Sequence, residues 1–238
     1  MASESFVVTR ASKKQRTRER ILANAIALFR DQGIRRTKLS EVAKASEISP
    51  ATLFNYFPTK GRLAEAWVRG ELESILAKAI TDSVDRDRSL RSAIRGACRE
   101  FADASVREPV LRLEAWQEAG RAAGLPAADD STLVSGLRKE QKRERVRADV
   151  TAADLAEILL DAIEGGLIAG LRAICDRAVG SASGGATDVG LSGLSRAIRA
   201  RVDLVLDGFR KRNERVAAPV AGVPSRRVAT RPTTRPAT

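Results

Sequence analysis

Between Thr37 and Lys60 the chain reads TKLSEVAKASEISPATLFNYFPTK, and its polar side chains are of the kind that pair with base edges rather than break bonds. Ser49-Pro50 opens a short helix there: serine caps it, and proline fits the first helical position, where its missing N–H is not needed. Leu53 and Phe57 lie four residues apart on this helix and face inward, behind Ile48. Ala51 and Asn55, also four apart, share another face, with Thr52 and Tyr56 in the neighbouring row. Small residues permit close approach to base edges. Ala51 and the Thr52 methyl suit a thymine methyl, and Asn55 carries the amide that pairs with adenine. Tyr56 and Lys60 suit phosphates, Lys60 because it sits at a helix start whose N–H groups favour anions. A preceding helix, from about Lys38 to Ala45, is capped by Thr37 and turns Leu39, Val42 and Ala43 inward. Together the two form a helix-turn-helix, whose second member enters the major groove.

Catalytic chemistry finds little support. The chain has no histidine among its 238 residues. The commonest general base and the commonest metal ligand are therefore missing, and no Ser-His or Cys-His pair is available. No Gly-rich phosphate loop of Walker or Rossmann form is present. We expect no catalytic residues, no metal site and no cofactor. A histidine-free helical enzyme acting on a small molecule is the weaker alternative, and a non-specific architectural DNA-binding protein is another.

Charge is divided unevenly. Residues 1–60 hold 12 Lys/Arg against 5 Asp/Glu, residues 61–209 hold 22 against 24, and residues 210–238 hold 8 against 1. A basic unit on a near-neutral body implies a polyanion-binding module attached to something that does not bind polyanions. Cys98 and Cys175 have no metal-like spacing and read as reduced, buried thiols. The most apolar stretch, 158–174, is interrupted by Asp161, Glu164 and Arg172 and is too short and charged to span a bilayer. Met1 to Arg18 lacks the apolar core of a signal peptide. The expectation is a cytoplasmic protein without a membrane partner.

The elements that position these residues are all helical. Helix formers dominate, and no β-branched or aromatic run appears. The first helix starts at Ser12 as cap, turns Ile21, Leu22, Ala25, Leu28 and Phe29 inward and Lys13, Lys14, Arg16, Arg18 and Arg20 outward, and ends at Gly33. Beyond a fourth helix from Lys60, helices fall near 88–107, 109–122, 130–146, 152–177 and 189–213, about nine in all. Pro109, Gly124-Leu125-Pro126 and the Gly/Ser-rich stretch 180–190 separate them. The organisation expected is a disordered arm over 1–11, a helix-turn-helix domain over 12–58, a regulatory domain over 59–212 and a disordered basic tail over 213–238. That tail either adds non-specific phosphate attraction or is inert.

The run from Ser49 to Lys60 resembles the TetR-family signature around its recognition helix, and Leu39-Ser40-Glu41-Val42-Ala43 is similar to that family's second helix. The resemblance covers roughly residues 13–70. Ser46-Glu47 stands where the family favours Ala-Gly, Phe54 where tyrosine is common, and Gly61 where glutamate is frequent. The resemblance implies an Ω-shaped homodimer. Each chain would hold a three-helix DNA-binding domain and a larger helical domain for effector binding and dimerisation. It implies that Thr37, Ser49, Pro50, Ala51, Thr52, Asn55, Tyr56 and Lys60 touch double-stranded DNA at a palindromic operator. It also implies an effector pocket in the body, for which Trp67, Ile75, Cys98, Phe101, Leu113, Trp116, Gln117 and Leu137 are the candidates. By composition alone those residues are core, and an apolar or amphipathic small molecule is the expected effector. Two late helices carry wide apolar faces, which pack either within one chain or against a second. The resemblance favours the second use, with Leu155, Leu159, Ile163, Gly166, Leu194, Ile198, Val202 and Val205 at the dimer interface.

Overall fold

The structure, a computed structural model, describes residues 10–120, 131–180 and 186–209. The described residues form nine α-helices and no strand: α1 (Arg10–Gln32), α2 (Leu39–Ala45), α3 (Pro50–Tyr56), α4 (Lys60–Asp85), α5 (Leu90–Val106), α6 (Pro109–Gly120), α7 (Thr132–Lys142), α8 (Ala152–Gly180) and α9 (Ala186–Phe209). The tail over 213–238, the Gly124-Leu125-Pro126 break and most of the Gly/Ser-rich stretch and of the N-terminal arm lie outside the described residues.

α1 buries Ile21, Ala25 and Phe29 completely, four residues apart, so one stripe faces the core. Gly33 ends it with φ +82°, and its N–H closes on the Phe29 carbonyl at 3.0 Å. The start differs from expectation. α1 begins at Arg10, so Ser12 lies inside its first turn and is not the cap. Apolar periodicity begins only at Ile21, so the pattern carries no mark of the earlier turns.

α4 is the spine. It packs against α1 at its start and against α5, α6 and α7 beyond. α8 and α9 make the most extensive pairing and run antiparallel, since Gly166 faces Ile198 while Gly170 faces Leu194. Here the expected dimer residues take another role. Leu155, Leu159, Ile163, Gly166, Leu194, Ile198 and Val202 are buried inside the single chain, and Val205 is half-buried against the same core. Gly166 meets Ile198 and Gly170 meets Leu194 between α8 and α9, Val202 lines a small cleft with α5, and the buried residues are not available to a second copy. Helix periodicity marks an apolar face without saying which neighbour covers it.

Candidate nucleic-acid interface

The helix-turn-helix is assembled from α1, α2 and α3. At the α2–α3 turn, Ser46 N–H donates to the Val42 carbonyl (2.9 Å) and Ile48 N–H to the Ala43 carbonyl (3.1 Å). Glu47 adopts φ 53° between them. This left-handed geometry costs a non-glycine residue about 1 kcal/mol, and the surrounding bonds hold it in place. The Asn24 amide of α1 donates to the Ala45 carbonyl (3.0 Å) and the Ser46 hydroxyl (3.2 Å), fixing the turn against α1.

α2 starts one residue later than expected. Its cap is Lys38, whose N–H donates to Glu41 Oε2 at 3.0 Å. That bond, and the Gln32 amide at 2.8 Å, hold the Glu41 carboxyl below the usual carboxylate range. Thr37 is not the cap. It is buried, and its hydroxyl donates to the Gly33 carbonyl at 2.9 Å. Its side chain is therefore turned into the protein, where it shapes the α1–α2 turn.

On α3, Ser49 Oγ accepts from Thr52 N–H at 3.1 Å and shares a 2.8 Å bond with the Thr52 hydroxyl. Leu53 and the C-capping Phe57 are about 1% exposed and anchor the helix. Ser49, Pro50, Ala51, Phe54 and Asn55 are exposed, with Thr52 and Tyr56 half-buried beside them. The outward surface thus gathers a small residue, an amide, a phenol and an apolar ring. Lys60 has a second task. Its ammonium donates to the Arg35 carbonyl (3.1 Å) and the Thr37 carbonyl (3.3 Å), tying the start of α4 to the turn before α2. Arg36 and Lys38, exposed in that turn, are basic groups the sequence reading passed over. The run Arg35-Arg36-Thr37-Lys38 is the signal that would have found them.

The eight effector candidates are only partly brought together. Trp116 packs against Phe101, while Trp67 and Phe101 face one buried cation, Arg112. Its Cζ lies 4.6 Å from the Trp67 centroid and 5.8 Å from that of Phe101, and Phe101 meets Trp116 edge-on at 6.5 Å. Glu71 of α4 pairs with Arg112 through both oxygens, at 2.6 and 3.2 Å. Arg112 Nε and Trp116 Nε1 are buried donors with no partner among the described residues. Ile75 lines a cleft of about 360 Å³ between α4 and α5, beside Lys78, Ser92 and Glu100. Cys98 lines a much smaller one against α9, and burial pushes its thiol up to about 12. Leu137 is fully buried, while Leu113 and Gln117 are half-buried. Arg112 was missed, although a lone arginine within PVLRLEAW is the kind of interruption that marks a buried charge.

The body and the helix-turn-helix meet around Trp67. Arg30 of α1 lies over its ring at 5.8 Å and pairs with Glu108, just before α6, at 2.9 Å. Arg35 approaches Glu114 of α6 at 3.7 Å.

Residues 37–57 thus form a helix-turn-helix with an outward-facing second helix near the start of an all-helical fold. Residues 21–67 match the model of the TetR family of bacterial regulatory proteins. The chain is 34% identical over 68 residues to the HTH-type transcriptional regulator TcmR of Streptomyces glaucescens, a match spanning 29% of this chain and 30% of that one. The fold is similar to that of Thermus thermophilus FadR, a TetR-family transcriptional repressor solved in complex with lauroyl-CoA. There the identity is 22% and the TM-score 0.56, over 86% of this chain and 99% of the other. No described helix is long and apolar enough to cross a membrane.

Proposed function

We propose that this chain is a cytoplasmic, sequence-specific transcription regulator that binds a palindromic operator as a homodimer, and a repressor released by a small effector. We assign residues 12–58 to DNA binding and 59–212 to regulation. The observation that carries the reading is the polarity of α3: Leu53 and Phe57 hold it to the core while Ser49, Pro50, Ala51 and Asn55 face solvent. Asn55 reads a base, Ala51 and Phe54 lie against thymine methyls, and Tyr56 contacts the backbone with Arg36 and Lys38. Selection from a random duplex pool by the purified protein tests this, and a pool that stays unenriched sinks it. On the selected site, Asn55→Ala relaxes preference at one base pair by about 1–3 kcal/mol. Uniform weakening across all sequences instead places Asn55 on the backbone.

A two-fold dimer spaces two α3 helices one turn of duplex apart, about 34–36 Å. The face left for it is the solvent side of α8 and α9. Leu204 is 76% and Ile158 45% exposed there, with the exposed Ala169 and Ala200 nearby. Leu204→Glu is expected to yield monomers in sedimentation velocity at micromolar concentration. A variant that still sediments as a dimer excludes this face.

The effector enters the body near Arg112 and is amphipathic, with an acceptor group for the unpaired Arg112 and Trp116 donors and an apolar part among Trp67, Phe101 and Trp116. Drawing Arg112 from Glu71 loosens α6 from α4 and shifts the populations of two α4 positions. Compounds that change tryptophan emission are therefore expected to change duplex affinity. Binders that leave affinity untouched refute the coupling.

A further inference from the structure

From Ser12 to Arg20, α1 buries no side chain completely. From Ser12 onward, its first fully buried residue is Ile21. In between, Lys13, Lys14, Arg16, Arg18 and Arg20 are all exposed, against a single acid, Glu19. None of the five forms an ion pair among the described residues, and Glu19 instead accepts a bond from Gln15 at 2.8 Å. Lys14 with Arg18, and Arg16 with Arg20, are like charges four apart, an arrangement that weakens an isolated helix by a few tenths of a kcal/mol per pair. A polyanion beside this segment converts that repulsion into attraction.

Two contacts fix where the segment points. Asn24 sits at the α2–α3 turn. Arg18 lies over the ring of Phe57, the C-cap of α3, at 4.7 Å. Going back along α1 thus leads from the turn to the far end of the recognition helix. The eight residue steps from Arg18 back to Arg10 then carry the helix about 12 Å further, at about 1.5 Å per residue. Lys14 continues the Arg18 row on the side of α3, and Lys13, Arg16 and Arg20 form a second row elsewhere on the same helical segment.

We infer that the first turns of α1, from Lys13 to Arg20, are a second DNA-binding element: a rigid basic arm lying along duplex phosphates outside the half-site read by α3. The inference rests on the DNA-binding reading above. A helical arm holds its charges at fixed spacing from the recognition helix, so it lengthens the footprint without reading sequence.

The test uses the full chain and a duplex selected from a random pool, with a shuffled duplex for comparison. Lys13→Gln/Lys14→Gln/Arg16→Gln removes three exposed charges and spares Arg18. A control, Lys78→Gln/Arg86→Gln/Arg88→Gln, removes three exposed charges around the far end of α4. Unchanged thermal unfolding shows that both variants fold. For the arm variant, the slope of log affinity against log salt becomes shallower by about 2–3, at roughly 0.9 per phosphate lost. Affinity for both duplexes falls by the same factor, and the protected footprint shortens. The control keeps the wild-type slope. An arm variant with the wild-type slope, or a control that loses as much, overturns the arm alone. A fall confined to the selected duplex overturns its phosphate role. A wild-type chain that enriches no duplex takes down the DNA-binding reading and the arm together.

Discussion

Glu71→Ala is expected to lower the unfolding free energy of the chain by about 3 kcal/mol, measured as a fall in the urea midpoint at constant slope. Arg112 is only 3% exposed, and Glu71 is its one carboxylate partner among the described residues. Removing the carboxylate strands a guanidinium between Trp67 and Phe101, with its Nε already unpaired. The cation–π contacts do not replace an ion pair with two hydrogen bonds, since a ring face offers about 1–2 kcal/mol even when desolvated. Glu71→Leu combined with Arg112→Met is expected to recover most of the loss, because a buried pair exchanged for apolar groups leaves no charge behind. Of the chain's two tryptophans, Trp67 lies against Arg112 and Trp116 against the Phe101 ring that Arg112 also faces, so intrinsic emission reports this cluster. A single variant within 1 kcal/mol of wild type would show that the pair contributes little to the fold.

Gly166→Val is expected to cost about 3 kcal/mol. A Cβ at Gly166 stands 2.7 Å from the Ile198 Cα and 3.0 Å from the Ala197 carbonyl oxygen. Both atoms are backbone of α9, so no rotamer change relieves the clash and the two helices must separate. The neighbouring Gly165 is the contrast. Its nearest atoms are the guanidinium end of Arg201 at 3.8 Å, an ordinary contact. Gly165→Ala is therefore expected to change stability by less than about 1 kcal/mol, towards the gain that alanine brings to a helix. Equal thermal midpoints for the two variants would mean that α8 and α9 do not approach as closely as these distances state.

Much of the recognition unit was legible in local sequence. Ser49-Pro50 starts α3, and the four-residue spacing of Leu53 and Phe57 turns Ala51 and Asn55 outward. These are short-range facts: capping and helical phase act within one or two turns. The outward group was less complete for Thr37 and Lys60. Their partners, the Gly33, Arg35 and Thr37 carbonyls, are set by the path of the turn before α2, which no spacing encodes.

By itself, then, the sequence determined an all-helical chain with a basic helix-turn-helix at one end, because helix propensity, caps and charge are properties of neighbouring residues. Tertiary structure alone decided what each apolar face meets. It buried Leu155, Leu159, Ile163, Ile198 and Val202 within the chain, and left Leu204 and Ile158 outside. It also brought Trp67 and Phe101 against Arg112, with Trp116 behind Phe101. A hydrophobic stripe records the need for burial, which is non-directional, and only the packed chain supplies the partner.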